Sequence, residues 1–434
     1  MTHPKKATQL GLGAVILLGL NGILGSGIFL LPGKMYKLSG NFSLVLILLA
    51  ALATLTIALC FADMASRVSG NGAAWLYTYH AFGRFPGFII GFLAWIQGII
   101  TIAAEIAALL NTLQFFMPSL KQTLPYNLLG TVLIIVLAVI NLAGDKLSGL
   151  ADNISSVAKL LVLGAFILIG IWVMKGSNFV QTSHYNFGNY SQAFNIIFYM
   201  FAGFSFLPIA ASDMANAKRN LPIAMIVVTV LVAVIYGAAQ LVVIGLLGPN
   251  IINGTTPVAA AFATVLGQSG QLVILLGMLV SILGVAISVS FSTPFVASSL
   301  ANEEQLLPAI IGKKTKNGTP WMSILLTTLA SIALLFSGDY LFLTSCVVII
   351  AIIQYLATAL ATIKSQRDTD ARDDGWQLPL GPVIPILAIA FSIYILAGAP
   401  LKTWAFGGIS IVIGLVLYVV DQQIFRKGEQ HAPR

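Results

Sequence analysis

The chain has 434 residues, of which 58% are hydrophobic and only 8% are charged, and its net charge is +8. A soluble domain of this size carries about 25% charged residues, so the composition excludes a soluble fold. Apolar runs of about 18 to 25 residues recur from end to end, each long enough to cross a bilayer. The sequence therefore predicts an all-α, polytopic protein embedded in a lipid bilayer.

About twelve membrane-spanning helices are predicted, with no soluble domain between them. A leader that would be cleaved is not expected, because Pro4-Lys5-Lys6 runs directly into the first apolar stretch. The predicted spans cover residues 10–37, 41–66, 86–116, 126–144, 153–174, 192–211, 221–248, 257–300, 321–337, 340–363, 379–398 and 403–425. The eighth is longer than one crossing needs, so it is either strongly tilted or continues as an amphipathic stretch around Ser298–Pro308.

The basic residues indicate how the chain lies in the membrane. With the N-terminus inside, sixteen of the 22 Lys and Arg residues fall in cytoplasmic segments, five fall outside, and Lys159 falls within a span. This imbalance favours both termini in the cytoplasm of a multi-pass plasma-membrane protein. It also explains the positive charge without a nucleic-acid partner. Cys60 and Cys346 lie in apolar runs and indicate neither a disulfide framework nor a metal site.

The first span contains three glycines within six residues, Gly22, Gly25 and Gly27. Each costs a helix about 1 kcal/mol relative to alanine, so the helix is predicted to break there. Broken backbone survives in hydrocarbon only where it lines a protein or water cavity. The amides and carbonyls exposed at the break could hold the carboxylate and ammonium of a small zwitterion, or an amine, without a charged side chain.

A second interruption is predicted in the sixth span, where Phe201-Ala202-Gly203-Phe204-Ser205 is followed by Pro208. Spans one and six hold corresponding places if the first ten helices form two halves of five. Paired broken helices at equivalent positions indicate an inverted-repeat transporter and its binding site. The alternative is that these glycines only let helices pack closely.

Three segments resemble one transporter superfamily. Gly25–Pro32 (GSGIFLLP) is similar to the first-helix signature of the amino acid–polyamine–organocation (APC) transporters. Gly72–Tyr79 and Ala81–Gly83 resemble that superfamily's first cytoplasmic loop, and Asp213–Pro222 resembles its acidic, Lys-Arg-Asn-x-Pro segment. The closest likeness is to the bacterial basic amino acid/polyamine antiporters and the amino acid permeases.

The resemblance implies a five-plus-five inverted repeat of the LeuT type, with discontinuous helices 1 and 6 and two additional helices. On this reading residues 10–174 and 192–363 are the two repeats, 379–425 the extra helices and 426–434 a cytoplasmic tail. Two departures matter. Ser205 stands where many members carry Asp or Glu, and Asp213 stands where Glu is usual.

Two ionisable residues lie well inside the spans, and each is a functional candidate because burying it in a membrane is costly. Glu105 shares one helix face with Gln97, Gly98 and Thr101. That face resembles the face of the superfamily's third helix that lines the side-chain end of the substrate pocket. A carboxylate there could pair with a substrate amine, carry a proton, or be a hydrogen-bonded packing residue.

The second candidate is Lys159, which matches a fifth-helix lysine of some APC transporters. The resemblance implies that its ammonium replaces the sodium ion that coupled relatives bind near the first-helix break. It could brace the broken helix, carry a proton through the transport cycle, or act as a fixed structural cation.

The remaining candidates are uncharged. Backbone groups and a hydroxyl of the first break are predicted to hold the substrate's carboxylate and amine, and groups of the sixth span to face them. Tyr199 could cover the substrate or be a core tyrosine, and two serines of the eighth span could line the cavity or pack between helices. The full set is Ile23, Gly25, Ser26, Gly27, Tyr199, Ala202, Gly203, Ser205, Ser288 and Ser290.

The leading hypothesis is a secondary-active transporter for amino acids or amino-acid-derived amines, working by alternating access as a permease or antiporter. The sequence leaves open exchange versus proton symport, the substrate and the oligomeric state. A polyamine or amine exchanger with Glu105 binding the substrate amine is the alternative. A channel is disfavoured because the sequence has no repeated filter motif and no rings of charged residues. An enzyme is disfavoured because the sequence has no acid–base–nucleophile set. No cofactor or metal is expected.

Overall fold

The computed structural model describes residues 11–68, 73–143, 145–180, 188–303, 305–316, 318–337, 339–367, 376 and 378–420, with the backbone alone for 145–154, 206 and 209–213. The predicted tail 426–434 and the first ten residues lie outside this range. So do Gly72 of the loop motif and the side chain of Asp213, on which part of the APC resemblance rests.

The described residues form fifteen α-helices joined by short 3-10 helices and turns. The α-helices are α1 Leu12–Ile23, α2 Gly27–Leu30, α3 Pro32–Ser39, α4 Ser43–Arg67, α5 Ala73–Phe82, α6 Arg84–Leu113, α7 Thr123–Ala143, α8 Asp145–Val173, α9 Tyr190–Phe201, α10 Ala217–Leu247, α11 Pro257–Asn302, α12 Trp321–Ser337, α13 Tyr340–Arg367, α14 Val383–Ala397 and α15 Leu401–Val420. The 3-10 helices are Gly40–Phe42, Pro118–Lys121, Gly176–Phe179, Ala202–Asp213 and Gly248–Asn253.

Several of these helices are long and apolar enough to span a membrane. Among the described residues eight helical stretches meet that standard, and α1, α12 and α14 are shorter apolar helices. The prediction of a multi-pass, all-helical membrane protein is confirmed at this level. The exact number of twelve crossings stays a prediction, because α1 stops at a break and α12 and α14 have only 17 and 15 residues.

The long eighth span is a kinked helix. At Gly267 the backbone has φ 62° and ψ −151°, which a residue with a side chain rarely adopts, so α11 bends there. The helix ends at Asn302. The part after the kink, residues 268–302, is still longer than the roughly 20 residues that one crossing needs, but the helix does not continue through Pro308.

Three helices form the centre of the molecule. Helix α6 packs against α11 and α13, and most of its residues from Gly87 to Leu110 are buried. By contrast, α7 and α15 each bury only four residues and expose large apolar side chains, as lipid-facing helices do. The face of α6 that bears Gln97, Thr101 and Glu105 is therefore enclosed by other helices rather than exposed to lipid.

Candidate functional site

The first helix breaks within the predicted glycine-rich stretch. Helix α1 ends at Ile23, Leu24 leaves the helical region with φ −75° and ψ 75°, and α2 begins at Gly27. The last carbonyls of α1 lose their helical partners at such an end and need other donors. The break predicted from the glycine spacing is therefore present, at Leu24–Ser26.

Lys159 supplies two of those donors. Its Nζ lies 3.2 Å from the carbonyl oxygen of Asn21 and 2.8 Å from that of Leu24, and the side chain is fully buried. Ser281 of α11 also donates to the Leu24 carbonyl, at 3.4 Å. The structure thus places the Lys159 ammonium at the carbonyl end of α1, while its role in transport stays a prediction.

A tyrosine of α10, which no sequence pattern singles out, contacts both interrupted spans. The Tyr236 hydroxyl lies 2.9 Å from the carbonyl oxygen of Ile23 and 2.7 Å from that of Met200. Tyr236 is fully buried, and its ring packs edge-on against Phe201 with the centroids 5.1 Å apart. One hydroxyl proton therefore lies between the ends of α1 and α9.

Glu105 lies on the other side of the break, at the centre of a hydrogen-bonded chain. Its Oε1 accepts from the Ser26 hydroxyl at 2.9 Å and from the Tyr199 hydroxyl at 3.3 Å. Because the single Ser26 proton goes to Glu105, Tyr340 is the donor in its 2.9 Å contact with Ser26 Oγ. Two side chains therefore donate to this carboxyl group directly, and Tyr340 is linked to it through Ser26.

The second carboxyl oxygen of Glu105 has no such support. Glu105 is 2% exposed, and among the described residues Oε2 has no hydrogen-bond partner. Buried polar atoms without partners are rare and costly, so each needs an explanation. An atom arranged in this way can accept a hydrogen bond from a ligand or hold a proton.

The sequence predicts that backbone groups of the break, with the Ser26 hydroxyl, hold the solute, and the structure shows what already contacts these groups. The carbonyl end of α1 already receives the Lys159 ammonium, and the Ser26 hydroxyl and backbone N–H both face the Glu105 carboxyl group. The chain thus supplies its own cation and acid at the break. A substrate must bind beside these groups or displace them.

The sixth span changes helix type instead of opening into a gap. Helix α9 ends at Phe201, and the chain continues as a 3-10 helix from Ala202 to Asp213 that contains Pro208. A 3-10 run this long is uncommon and often marks a functional hinge. The prediction of a discontinuity holds, but its ends are less open than expected, because Tyr355 donates to the Ala202 carbonyl at 3.0 Å.

The two interrupted spans touch through their backbones. A methyl group on Gly203 would overlap the carbonyl of Gly22, and one on Gly27 would come within 2.9 Å of Met200 Cγ. Only glycine permits so close a backbone approach at Gly203. The glycines that interrupt the spans are therefore also the ones that bring the interruptions together.

A small cavity of about 40 Å³ lies between the two interruptions and α6. Nine predicted site residues line it, namely Ile23, Gly25, Gly27, Gln97, Thr101, Glu105, Tyr199, Ala202 and Gly203. Five other residues complete the lining, namely Gly22, Met200, Val285, Val289 and Val347. A cavity of this size holds a few water molecules, so an amino acid can enter only if the walls move.

Five predicted residues do not line this cavity. Ser26 lies next to it and acts through Glu105. Gly98 packs against Thr293, which leaves no room for a methyl group, and Ser205 lies within 3.3 Å of the Tyr355 hydroxyl. The placements of Ser288 and Ser290 as cavity residues are corrected by the rotation of α11.

That rotation follows directly from helix geometry. On α11 the residues facing the cavity are Val285 and Val289, four apart, whereas Ser290 receives a hydrogen bond from Asn141 at 3.2 Å. Neighbouring residues of a helix point about 100° apart, so Ser288 and Ser290 face away from Val289. For Ser290 the second alternative, packing between helices, agrees with its contact to Asn141, and no sequence signal favoured the valines.

The described side chains contain no group of three or more His, Cys, Asp and Glu residues that could hold a metal ion. The polar side chains of the cavity are instead one carboxyl, one carboxamide and two hydroxyls. Such a set suits hydrogen bonding to an organic solute.

Comparison with known proteins agrees with this arrangement. A sequence model of the amino acid permease family matches residues 10–419. The serine/threonine exchanger SteT of Bacillus subtilis is 27% identical, with 94% of each chain covered. The branched-chain amino acid permease BcaP of Lactococcus lactis is 24% identical, over 93% of this chain and 92% of that protein. An uncharacterised transporter of Mycobacterium tuberculosis is 29% identical, over 89% and 86%.

These relatives are transporters rather than enzymes, which confirms the corresponding prediction from the sequence. The matched region includes both interrupted spans, the Glu105 cluster and Lys159. With a family match that runs over nearly the whole chain, the protein belongs to the amino acid permease family.

Proposed function

We propose that the protein is a secondary-active transporter that moves amino acids or amino-acid-derived amines across the plasma membrane by alternating access. The observation that carries the proposal is the cavity between two interrupted spans, lined by Gln97, Thr101 and Glu105 of a buried helix face. Broken helices around a central cavity are typical of transporters that alternate between two openings. The names of the relatives, an exchanger and a permease for amino acids, support the same substrate class.

The architecture proposed for this activity is the five-plus-five inverted repeat. Helices α1 to α8 would form the first repeat, α9 to α13 the second, and α14 and α15 the additional pair. The equivalent positions of the two interruptions support this division. The excess of basic residues in alternate loops supports cytoplasmic termini.

Lys159 is proposed to take the place of a coupling cation. Its ammonium contacts the Asn21 and Leu24 carbonyls, and carbonyl oxygens freed at a helix break are the groups that coordinate Na⁺ in broken-helix transporters. A tethered ammonium there would hold the break in shape without a sodium ion. The variant Lys159→Arg tests whether the ammonium also carries a proton, because arginine cannot release one.

A second candidate function is the exchange of amines or polyamines. The observation that favours it is the unpartnered Oε2 of Glu105, which can accept hydrogen bonds from a substrate ammonium. Alternatively, the same oxygen holds a proton that moves with the substrate. The two possibilities differ in which solutes are exchanged and in their response to pH.

The test is counterflow in proteoliposomes that contain the purified protein. Vesicles preloaded with unlabelled amino acids or amines are expected to accumulate the labelled solute of the same class. Glu105→Gln keeps an oxygen to accept from Ser26 and Tyr199 but removes the acid, so it should change either the substrate profile or the pH dependence. Asp339→Asn is a matched control, because exposed Asp339 lies outside the cavity and accepts from the backbone N–H of Phe342, which Asn can also do.

Two outcomes would overturn these proposals. A wild-type protein that shows no counterflow with any amino acid or amine would remove the transporter assignment. Ohmic single-channel currents from the purified protein would indicate a channel instead. If Glu105→Gln left both the substrate profile and the pH dependence unchanged, Glu105 would be a packing residue.

A further inference from the structure

A pair of glutamines joins the cavity to α13. Gln354 Nε2 donates to Gln97 Oε1 at 2.6 Å and also to the carbonyl oxygen of its own helix residue Ile350 at 3.3 Å. Gln97 and Gln354 are 2% and 4% exposed, so neither amide has solvent as a substitute partner. Gln354 does not itself line the cavity, whereas Gln97 does.

The Ile350 carbonyl fixes the direction of this pair. A carbonyl oxygen can only accept, so the Gln354 atom beside it must be the donor nitrogen. The same nitrogen faces Gln97, which must therefore present its own acceptor, Oε1, to Gln354. The other polar atom of the Gln97 amide is the donor nitrogen Nε2, which is left for the cavity side.

Two acceptors follow on the same face of α6. The Thr101 hydroxyl gives its proton to the Gln97 backbone carbonyl at 2.8 Å, so its oxygen can accept a further hydrogen bond. One turn later, Glu105 Oε2 is the unpartnered carboxyl oxygen. Residues four apart rise about 6 Å along a helix, so this face offers a donor, an acceptor and an acceptor in successive turns.

We infer that Gln354 orients Gln97 so that this face of α6 selects a small, neutral amino acid whose side chain bears a hydroxyl, of the size of serine or threonine. A hydroxyl both accepts, here from Gln97 Nε2, and donates, here to Thr101 Oγ1 one turn away. This inference rests on the proposed transport function and narrows its substrate class. Gln354 is a positioning residue, since it acts through Gln97.

The remaining residues that line the cavity limit the size of the substrate's side chain. Val285, Val289 and Val347 contribute apolar groups to the cavity, and they suit the methyl group of threonine. An aliphatic side chain would fill the same space but leave the polar face of α6 without partners. Sites built to hydrogen-bond a substrate hydroxyl reject analogues that lack it far more strongly than apolar pockets reject a missing methylene.

The experiment compares isosteric amino acids in proteoliposomes that contain the full-length protein. Threonine and valine have nearly the same shape and differ by a hydroxyl in place of a methyl group. Serine and 2-aminobutyrate differ in the same way. Wild-type protein is expected to exchange threonine at least about tenfold more efficiently than valine. Valine exchange as efficient as threonine exchange would overturn the inference.

Two variants test the role of Gln354. Gln354→Leu frees the Gln97 amide to turn, so the preference for threonine over valine should fall by at least about fivefold while valine exchange persists. In Gln354→Glu the new carboxylate accepts from Gln97 Nε2, which turns Gln97 Oε1 toward the cavity. O-methylserine, whose ether oxygen only accepts, should then compete with labelled serine at least about fivefold more weakly than in wild type.

Gln240→Leu is the matched control. Gln240 is also a buried glutamine, but its amide contacts Pro32 and Ser43, away from the cavity, so the threonine preference should not change. An equal loss of threonine and valine exchange in Gln354→Leu would show a purely structural role and contradict the inference. Exchange of amines but of no amino acid would also contradict the inference, whereas exchange of neither would contradict the transporter assignment, so the two failures are distinguishable.

Discussion

Lys159 Nζ lies 2.8 Å from the carbonyl oxygen of Leu24, where the first helix stops. The ammonium thus caps a helix end from another helix, 135 residues away along the chain. Cations are favoured at the C-terminal end of a helix, where the carbonyls concentrate negative charge. Lys159 therefore contributes the only charged donor among the described side chains that the structure places on these carbonyls, beside the hydroxyls of Ser281 and Tyr236.

We expect Lys159→Met to destabilise the protein by about 1–3 kcal/mol, because buried carbonyls lose their donor while the apolar stem is kept. Exchange in proteoliposomes should fall at least about tenfold. Thermal unfolding of the protein in detergent measures the first effect, and counterflow measures the second. Unchanged stability and exchange would show that Lys159 has neither a bracing nor a coupling role.

Lys159→Arg separates a brace from a proton carrier through uptake driven by a pH gradient, which should persist if Lys159 is a brace and disappear if it carries a proton. Arginine keeps its charge at every pH that the protein tolerates, so it can brace the carbonyls but cannot release a proton. Exchange at equal pH on both sides should survive in this variant in both cases.

Tyr236→Phe removes the hydroxyl between the Ile23 and Met200 carbonyls. The ring still packs against Phe201, so the main loss is the link between the two interrupted spans. We expect turnover in counterflow to fall about tenfold while KM stays within about threefold, a loss that matches one or two buried hydrogen bonds.

Tyr126→Phe is the control for this change. The Tyr126 hydroxyl also donates to a backbone carbonyl, that of Ala107 at 3.3 Å, but it lies on α7 outside the cavity. Turnover should stay near that of wild type. Equal losses of turnover in the Tyr126 and Tyr236 variants would contradict the prediction. They would show that any tyrosine hydroxyl bonded to a backbone carbonyl affects turnover as strongly as the link between the two spans.

Gly203→Ala should impair folding and transport, because the added methyl group would overlap the Gly22 carbonyl. Backbone cannot move aside as a flexible side chain can, so the two spans must separate. Gly237→Ala on α10 is the control, since its methyl group would meet no atom within 4 Å. There alanine should be neutral or stabilise the helix by up to about 1 kcal/mol. The folded yield and the melting temperature, measured for both variants, test these two expectations.

Tyr340→Phe tests which bond of the hydrogen-bonded chain at Glu105 matters more for exchange. Tyr340 is the terminal donor, so its loss leaves the bond from Ser26 to Glu105 intact. Ser26→Ala, by contrast, removes both bonds. We expect the serine variant to lose at least about fivefold more exchange activity than the tyrosine variant, and the reverse order would contradict the importance given to the bond from Ser26 to Glu105.

Much of the fold could be predicted because it depends on local sequence. Apolar runs predict membrane helices, and three glycines within six residues predict a break at Leu24–Ser26. Glu105 and Lys159 were identifiable because ionisable residues in apolar spans are rare and costly. Gln97 and Thr101 followed from Glu105 by helical spacing along one helix.

The contacts between helices were decided only by tertiary structure. Tyr236 lies 213 residues from Ile23 in the chain, and Gln354 lies 257 residues from Gln97. Whether such residues meet depends on the rotation and crossing of each helix, which local sequence does not encode. The same reason explains why Val285 and Val289, and not Ser288 and Ser290, face the cavity. The amino-acid sequence by itself determined where the backbone opens and which charges are buried, and packing determined which groups fill that opening.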